Sequence, residues 1–182
     1  MSFRFSILFL SLWAGSLVDA ADDSLSKAEA WELRLPDAVT SFGACELDGH
    51  LYVYGGHVGT AHQYSRDNHS LRFSRLDLSS RKKWESLPMD IPMQSGMLVG
   101  FAGKVYRIGG SRATNARGEP ANLRSLDSVS VYDPKKKKWE PLTPLPEPRS
   151  SHEAVVHGNH VYVVGGWNMG NGVDPDSKWH RH

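Results

Sequence analysis

Apolar residues along the chain fall into short runs that either alternate with polar positions or end in paired glycines. Three such runs are copies of one another: Leu51-Tyr52-Val53-Tyr54-Gly55-Gly56, Val105-Tyr106-Arg107-Ile108-Gly109-Gly110 and Val161-Tyr162-Val163-Val164-Gly165-Gly166. The glycine pairs stand 54 and 56 residues apart, and Trp31, Trp84 and Trp139 keep step at 53 and 55. Two independent markers with one period imply a repeated structural unit.

Within each unit the pattern predicts short strands. A turn precedes each glycine-terminated run, at Asp48-Gly49-His50, Ala102-Gly103-Lys104 and Gly158-Asn159-His160, and another apolar stretch precedes the turn, so the pair reads as a hairpin. A third strand follows a long loop, over Leu71–Leu76 in the first unit and Val129–Tyr132 in the second, and a turn then leads into a fourth strand bearing Trp84 or Trp139. Four antiparallel strands are the content of a propeller blade. Trp31-Glu32-Leu33-Arg34-Leu35-Pro36 matches the fourth-strand segment Trp84-Glu85-Ser86-Leu87-Pro88, and the last unit supplies two strands, so eleven strands are expected.

Glycine pairs after an apolar strand, a tyrosine or its equivalent in the third strand and a tryptophan opening the fourth resemble the Kelch repeat. The segment Leu145-Pro146-Glu147-Pro148-Arg149-Ser150-Ser151-His152 is particularly similar to that family. The resemblance runs from Trp31 to Trp179 and implies an all-β, Kelch-type β-propeller. It would be incomplete, with about two and a half four-stranded antiparallel blades and an N-terminal closing strand, in units 31–83, 84–138 and 139–182. It also places Arg149 and His152 at the start of a first strand, where buried hydrogen bonds near a central channel are expected. Gly55, Gly56, Trp84, Tyr132 and Trp139 are then structural: glycine permits close backbone approach and positive φ, and tryptophan fills space between blades.

The first thirty residues break the pattern. Arg4, the apolar stretch Phe5–Val18 and the small-residue end Val18-Asp19-Ala20 read as an export signal over residues 1–20, cleaved after Ala20, with a linker over 21–30. The competing reading, a membrane anchor, meets a run shorter than the roughly 20 residues a spanning helix needs. A secreted or periplasmic protein, off the membrane once the signal is cleaved, is expected. The near-neutral charge of +1 gives no whole-protein attraction to nucleic acid. Cys45 is the single cysteine, so no intramolecular disulfide is available; its place in an alternating run predicts a buried strand thiol rather than a reactive one.

Candidate chemistry lies in the loops that follow the glycine pairs, whose contents differ while the strands repeat. In the first loop His57, His62 and His69 suggest a metal site, but their spacing matches no zinc pattern, and hydrogen-bonded or solvated histidines are the favoured reading. Asn68-His69-Ser70 is a glycosylation sequon. The second loop carries Arg112, Arg117 and Arg124 against Glu119, and arginine forks bind carboxylate, sulfate or phosphate. In the third loop Trp167 could stack on a sugar ring beside those arginines. Lys135 to Lys138 form a solvated turn at the opposite end of the strands.

No catalytic residue, metal ligand or cofactor is assigned: no nucleophile–base pair, phosphate loop or carboxylate pair stands at a recognisable spacing. The leading reading is an exported binding or scaffold module for a protein or glycan ligand on the loop face, one that needs further blades or self-association. The alternative is part of a propeller enzyme resembling the sialic acid mutarotases or the copper-dependent galactose oxidases, for which no complete ligand set can be matched. An intracellular adaptor would be a third reading, against which the export signal and the lack of a BTB-like helical region before Trp31 argue.

Overall fold

The computed structural model describes residues 34–170 and 178–179. The signal at 1–20 and the linker at 21–30 lie outside the described residues; so does the first half of the closing strand expected over 31–36, and its described residues, 34–36, are not in a strand.

Strands β1 (Gly43–Leu47), β2 (His50–Tyr54), β3 (Phe73–Asp77) and β4 (Trp84–Leu87) form one antiparallel sheet in chain order. In the second sheet β5 (Met97–Phe101) and β6 (Lys104–Ile108) pair, and β6 is followed by β9 (Val129–Asp133) and β10 (Lys138–Pro141). Between β6 and β9 the chain makes a small ribbon, β7 (Ser111–Ala113) against β8 (Leu123–Ser125), in the stretch expected to be an irregular loop. A third hairpin, β11 (Glu153–His157) with β12 (His160–Val164), is followed by β13 (Trp167–Asn168) paired to β14 (Lys178–Trp179). These two ribbons take the strand count past the eleven expected.

The tryptophan-to-tryptophan units differ in phase from the sheets, which run over 43–87 and 97–141. The first unit's third strand begins at Phe73 rather than Leu71, because β2 ends at the Tyr54–Phe73 pair where Gly55 turns into the left-handed region.

The core sits between the two sheets. Leu47, Tyr52, Tyr54, Phe73 and Leu87 from the first pack with Leu98, Val105 and Tyr132 from the second and with Met93 from the connection. Trp139 of β10 reaches across the joint, its ring 5.5 Å from Tyr54, 5.2 Å from Phe73 and 5.2 Å from Tyr132, and its indole N–H donates to the Pro88 carbonyl at 2.8 Å. Cys45 lies against this core, where burial pushes its thiol up to about 12 and makes it unreactive as a nucleophile. Arg107, also buried, is held by Asp90 at 2.9 Å and by the Ser128 and Ser130 hydroxyls.

Backbone bonds between units repeat at matched positions. The N–H of Gly56 donates to Met93 and that of Gly110 to Arg149, both at 2.8 Å. Ser95 N–H donates to the Ser41 carbonyl and Ser151 N–H to the Ser95 carbonyl, at 2.7 and 2.8 Å, and all three serines hold positive φ. These contacts explain the paired glycines. A Cβ on Gly55 or Gly109 would stand 2.4 Å from the carbonyl oxygen of Met93 or Arg149, at a φ of +61° or +54° that side chains rarely adopt.

Candidate functional site

Each sheet is extended past its glycine pair by a rung of three residues. In the first unit Thr40, His57 and His69 lie side by side; in the second, Gln94, Ser111 and Ser125; in the third, Ser150, Trp167 and Trp179. These rungs carry the loops in which the candidate residues lie.

The arginines of the second loop are divided between two places. Arg112 and Arg124 are register partners on the β7–β8 ribbon and are both exposed, while the alternate positions Ser111, Ala113, Leu123 and Ser125 are buried. The Arg124 Nε donates to the Asn122 side chain at 3.3 Å. Arg117 lies at the ribbon's tip, its Nε 3.7 Å from the carboxylate of Asp67 in the first loop, with both side chains largely in solvent. Glu119 is used to close that tip, accepting from the Ala116 N–H at 2.7 Å. The three arginines therefore form a pair and a separate, partly compensated charge, not one cluster.

Trp167 packs against Ala113, Leu123 and Met169, under the ribbon's buried face. That face is opposite to the one presenting Arg112 and Arg124, so the tryptophan supports the ribbon from below rather than lying beside the guanidinium groups. Its backbone bonds reciprocally to Ser150 at 3.0 Å, and its carbonyl accepts from the Ser125 hydroxyl at 3.1 Å.

Of the first-loop histidines, His57 and His69 are buried rung neighbours and His62 is exposed. His57 Nε2 donates to the Thr60 carbonyl at 3.0 Å and meets the Tyr64 ring edge-on at 5.5 Å. His69 Nε2 accepts the N–H of Ala113 from the second loop at 2.9 Å. Burial, with Arg112 and His57 close by, pulls the His69 pKa down to about 4. Its role in joining two loops was not legible in sequence, since nothing in the spacing of the histidines points to the amide of Ala113.

A cleft of about 540 Å³ opens between the first loop and the ribbon tip, lined by Thr60, His62, Tyr64, Asn68, Arg117 and Glu119 among others. At the sequon, the Asn68 side chain donates to the Val58 carbonyl at 3.0 Å and accepts from Ser65 at 2.6 Å, so the amide that would carry a glycan is engaged within its own loop. Arg149 and His152 are buried, and Arg149 donates to the Gly165 carbonyl. The lysine turn is exposed, with Lys137 paired across units to Glu85 at 2.8 Å.

Residues 98–146 and 148–174 match the Kelch motif. Human Kelch-like protein 33 is 33% identical over 126 residues, which cover 68% of this chain and 21% of that protein. Human Kelch domain-containing protein 3 is 29% identical over 143 residues, 74% of this chain and 35% of that protein. The chain thus spans a fifth to a third of the length of these relatives. The solved structure of YjhT superposes with a TM-score of 0.57 at 23% identity, covering 73% of this chain and 36% of that one, a likeness of fold. With its repeated four-stranded sheets and matched inter-unit bonds, the chain belongs to the Kelch-repeat family and its fold is part of a Kelch-type β-propeller.

Proposed function

We propose that this chain is an exported binding module that offers its loop ends to a ligand while the repeated strands serve as scaffold. The ligand is a protein or glycan presenting carboxylate or sulfate groups. One observation carries the sign of the ligand: Arg112 and Arg124 stand side by side and exposed on a ribbon whose other face packs, through Ala113 and Leu123, against Met169, Tyr64 and Trp167. Two planar donor forks can grip one anionic group, or two adjacent ones, and because the ribbon backbone is already ordered the ordering cost left is that of the two side chains. Arg117 contributes less, because Asp67 already offsets its charge. The residue types on the loop ends differ from unit to unit, as in a variable surface on a constant frame.

Binding of the 182-residue chain to an array of neutral and acidic glycans, with acidic and neutral peptides alongside, tests this. Arg112→Gln with Arg124→Gln is expected to abolish a preference for acidic ligands that weakens with salt, as exposed charge attraction does. A preference for neutral ligands, or binding untouched by the double change, removes the reading. Export rests on the leader at 1–20, and an intact mass beginning at Ala21 is the expected result for the secreted product.

A further inference from the structure

The second and third units are each tied to the unit before by one buried contact of the same design. The third residue after the glycine pair donates its backbone N–H to a rung side chain of the preceding unit. Ala113 N–H meets His69 Nε2, and Met169 N–H meets Ser125 Oγ, each at 2.9 Å. The two acceptors hold equivalent places, as outer members of the rungs that contain His57 and Ser111. One acceptor can be protonated and the other cannot.

Accepting from a peptide N–H requires His69 to be neutral, with its proton on Nδ1. That nitrogen is buried and has no hydrogen-bond partner among the described residues; nor has Nδ1 of His57. Adding a proton at Nε2 would turn the acceptor into a donor aimed at another donor. The groups around the ring give an imidazolium little help. Arg112 stands on the ribbon strand and His57 across the rung, while Arg66 and Asp67 precede His69 on the same loop, with Asp67 directed at Arg117. Asp37, from the segment that leads to Thr40, is bound to Arg72 and to the Ser70 hydroxyl, and Glu119 is closed on its own turn. Two further bonds join the same loops, Arg66 N–H to the Asn115 carbonyl at 3.0 Å and the Asn115 amide to the Tyr64 carbonyl at 2.7 Å, and neither titrates.

We propose that His69 makes the joint between the first loop and the arginine-bearing ribbon acid-labile, while the equivalent Ser125 joint between the second and third units holds at any pH. The joint is closed when the ring is neutral and opens as pH falls through about 4. Because β7 carries both Ala113 and Arg112, opening it loosens the ribbon that presents the arginine pair. A ligand taken up near neutral pH would be released in acid. That consequence rests on the binding reading above; the joint itself does not.

The test reads the joint without ligand. Amide exchange of the isotope-labelled 182-residue chain is followed by NMR at several pH values and expressed as protection relative to the free-peptide rate at each pH. Between about pH 6 and about pH 3.5 the protection of Ala113 is expected to fall by about tenfold or more, while that of Met169 stays within about twofold. His69→Gln, whose side-chain carbonyl accepts at any pH, is expected to keep Ala113 protected throughout. In case that variant folds poorly, the wild-type His69 ring is titrated by its ¹⁵N shifts, and its midpoint should coincide with the loss of Ala113 protection. Steady protection of Ala113, parallel loss at Met169, or a His69 midpoint at the ordinary value of about 6.5 would each overturn the proposal. Loss of protection at Ala113 alone, with no preference for acidic ligands, would leave the joint standing and remove only the binding reading.

Discussion

Removing the Trp139 side chain should weaken the joint between the first two units more than any change in the neighbouring lysine turn. The indole sits in a cluster of rings to which the first sheet contributes Tyr54 and Phe73 and its own sheet contributes Tyr132, all with centroids within 5.5 Å. Truncating a buried tryptophan to alanine costs about 3–5 kcal/mol. Trp139 is only partly buried, which argues for the lower end, about 3 kcal/mol, and loss of the bond to the Pro88 carbonyl is worth about 1 of that. Trp139→Phe keeps a ring in the cluster and should cost about 1–2 kcal/mol. Lys136→Ala is the control: the exposed side chain has no partner among the described hydrogen bonds and ion pairs, and such changes stay within about 0.5 kcal/mol. Urea unfolding followed by far-ultraviolet circular dichroism supplies the comparison through the transition midpoint, at constant slope. Equal midpoints for Trp139→Ala and Lys136→Ala would refute the view that this ring joins the units.

Gly109→Ala should destabilise far more than Gly158→Ala in the same denaturation assay. Both residues hold positive φ, but a Cβ at Gly109 meets the Arg149 carbonyl at 2.4 Å whereas one at Gly158 meets nothing within 4 Å, so equal losses would mean that backbone strain alone matters. The 182-residue chain should also self-associate through β11–β12, where Val155, Tyr162 and Val164 are 59%, 49% and 53% exposed on one face. Light scattering should show association reduced by Tyr162→Lys with Val164→Lys, and a monomeric wild type would defeat that expectation.

Much of the frame was legible because it is local. The turns at Asp48-Gly49 and Ala102-Gly103 hold positive φ at both residues, as a tight hairpin between twisted strands requires, and the apolar alternation on either side fixes the register. The third-strand onset and the β7–β8 ribbon were not legible. Ser-Arg-Ala against Leu-Arg-Ser offers three residues a side, too few for a period to stand out, yet that ribbon decides which arginines share a face. The expected cluster of Arg112, Arg117, Arg124 and Trp167 failed for the same reason. Alternation sends residues 112 and 124 outward and 113 and 123 inward, and the tryptophan follows the inward set.

The repeat also shows that burial here belongs to pairs of units rather than to residues. Val164 stands where Tyr54 and Ile108 stand, Tyr162 where Tyr52 and Tyr106 stand, and Val155 where Cys45 and Val99 stand, as the matched hairpin registers show. In the first two units these positions are buried or half-buried, and in the third all three are exposed. Apolar character at a position therefore records that a neighbour belongs against it, and the glycine pairs record where that neighbour's backbone arrives: Gly55 and Gly109 each face a carbonyl of the following unit, while Gly165 faces open space. The same logic separates scaffold from function on the loop ends. A contact present in both joints, such as the amide donated to His69 and to Ser125, is architecture in its position. The choice of a titratable acceptor in one joint and a serine in the other does not follow from the architecture; it exposes the first joint to protonation and leaves the second indifferent to it.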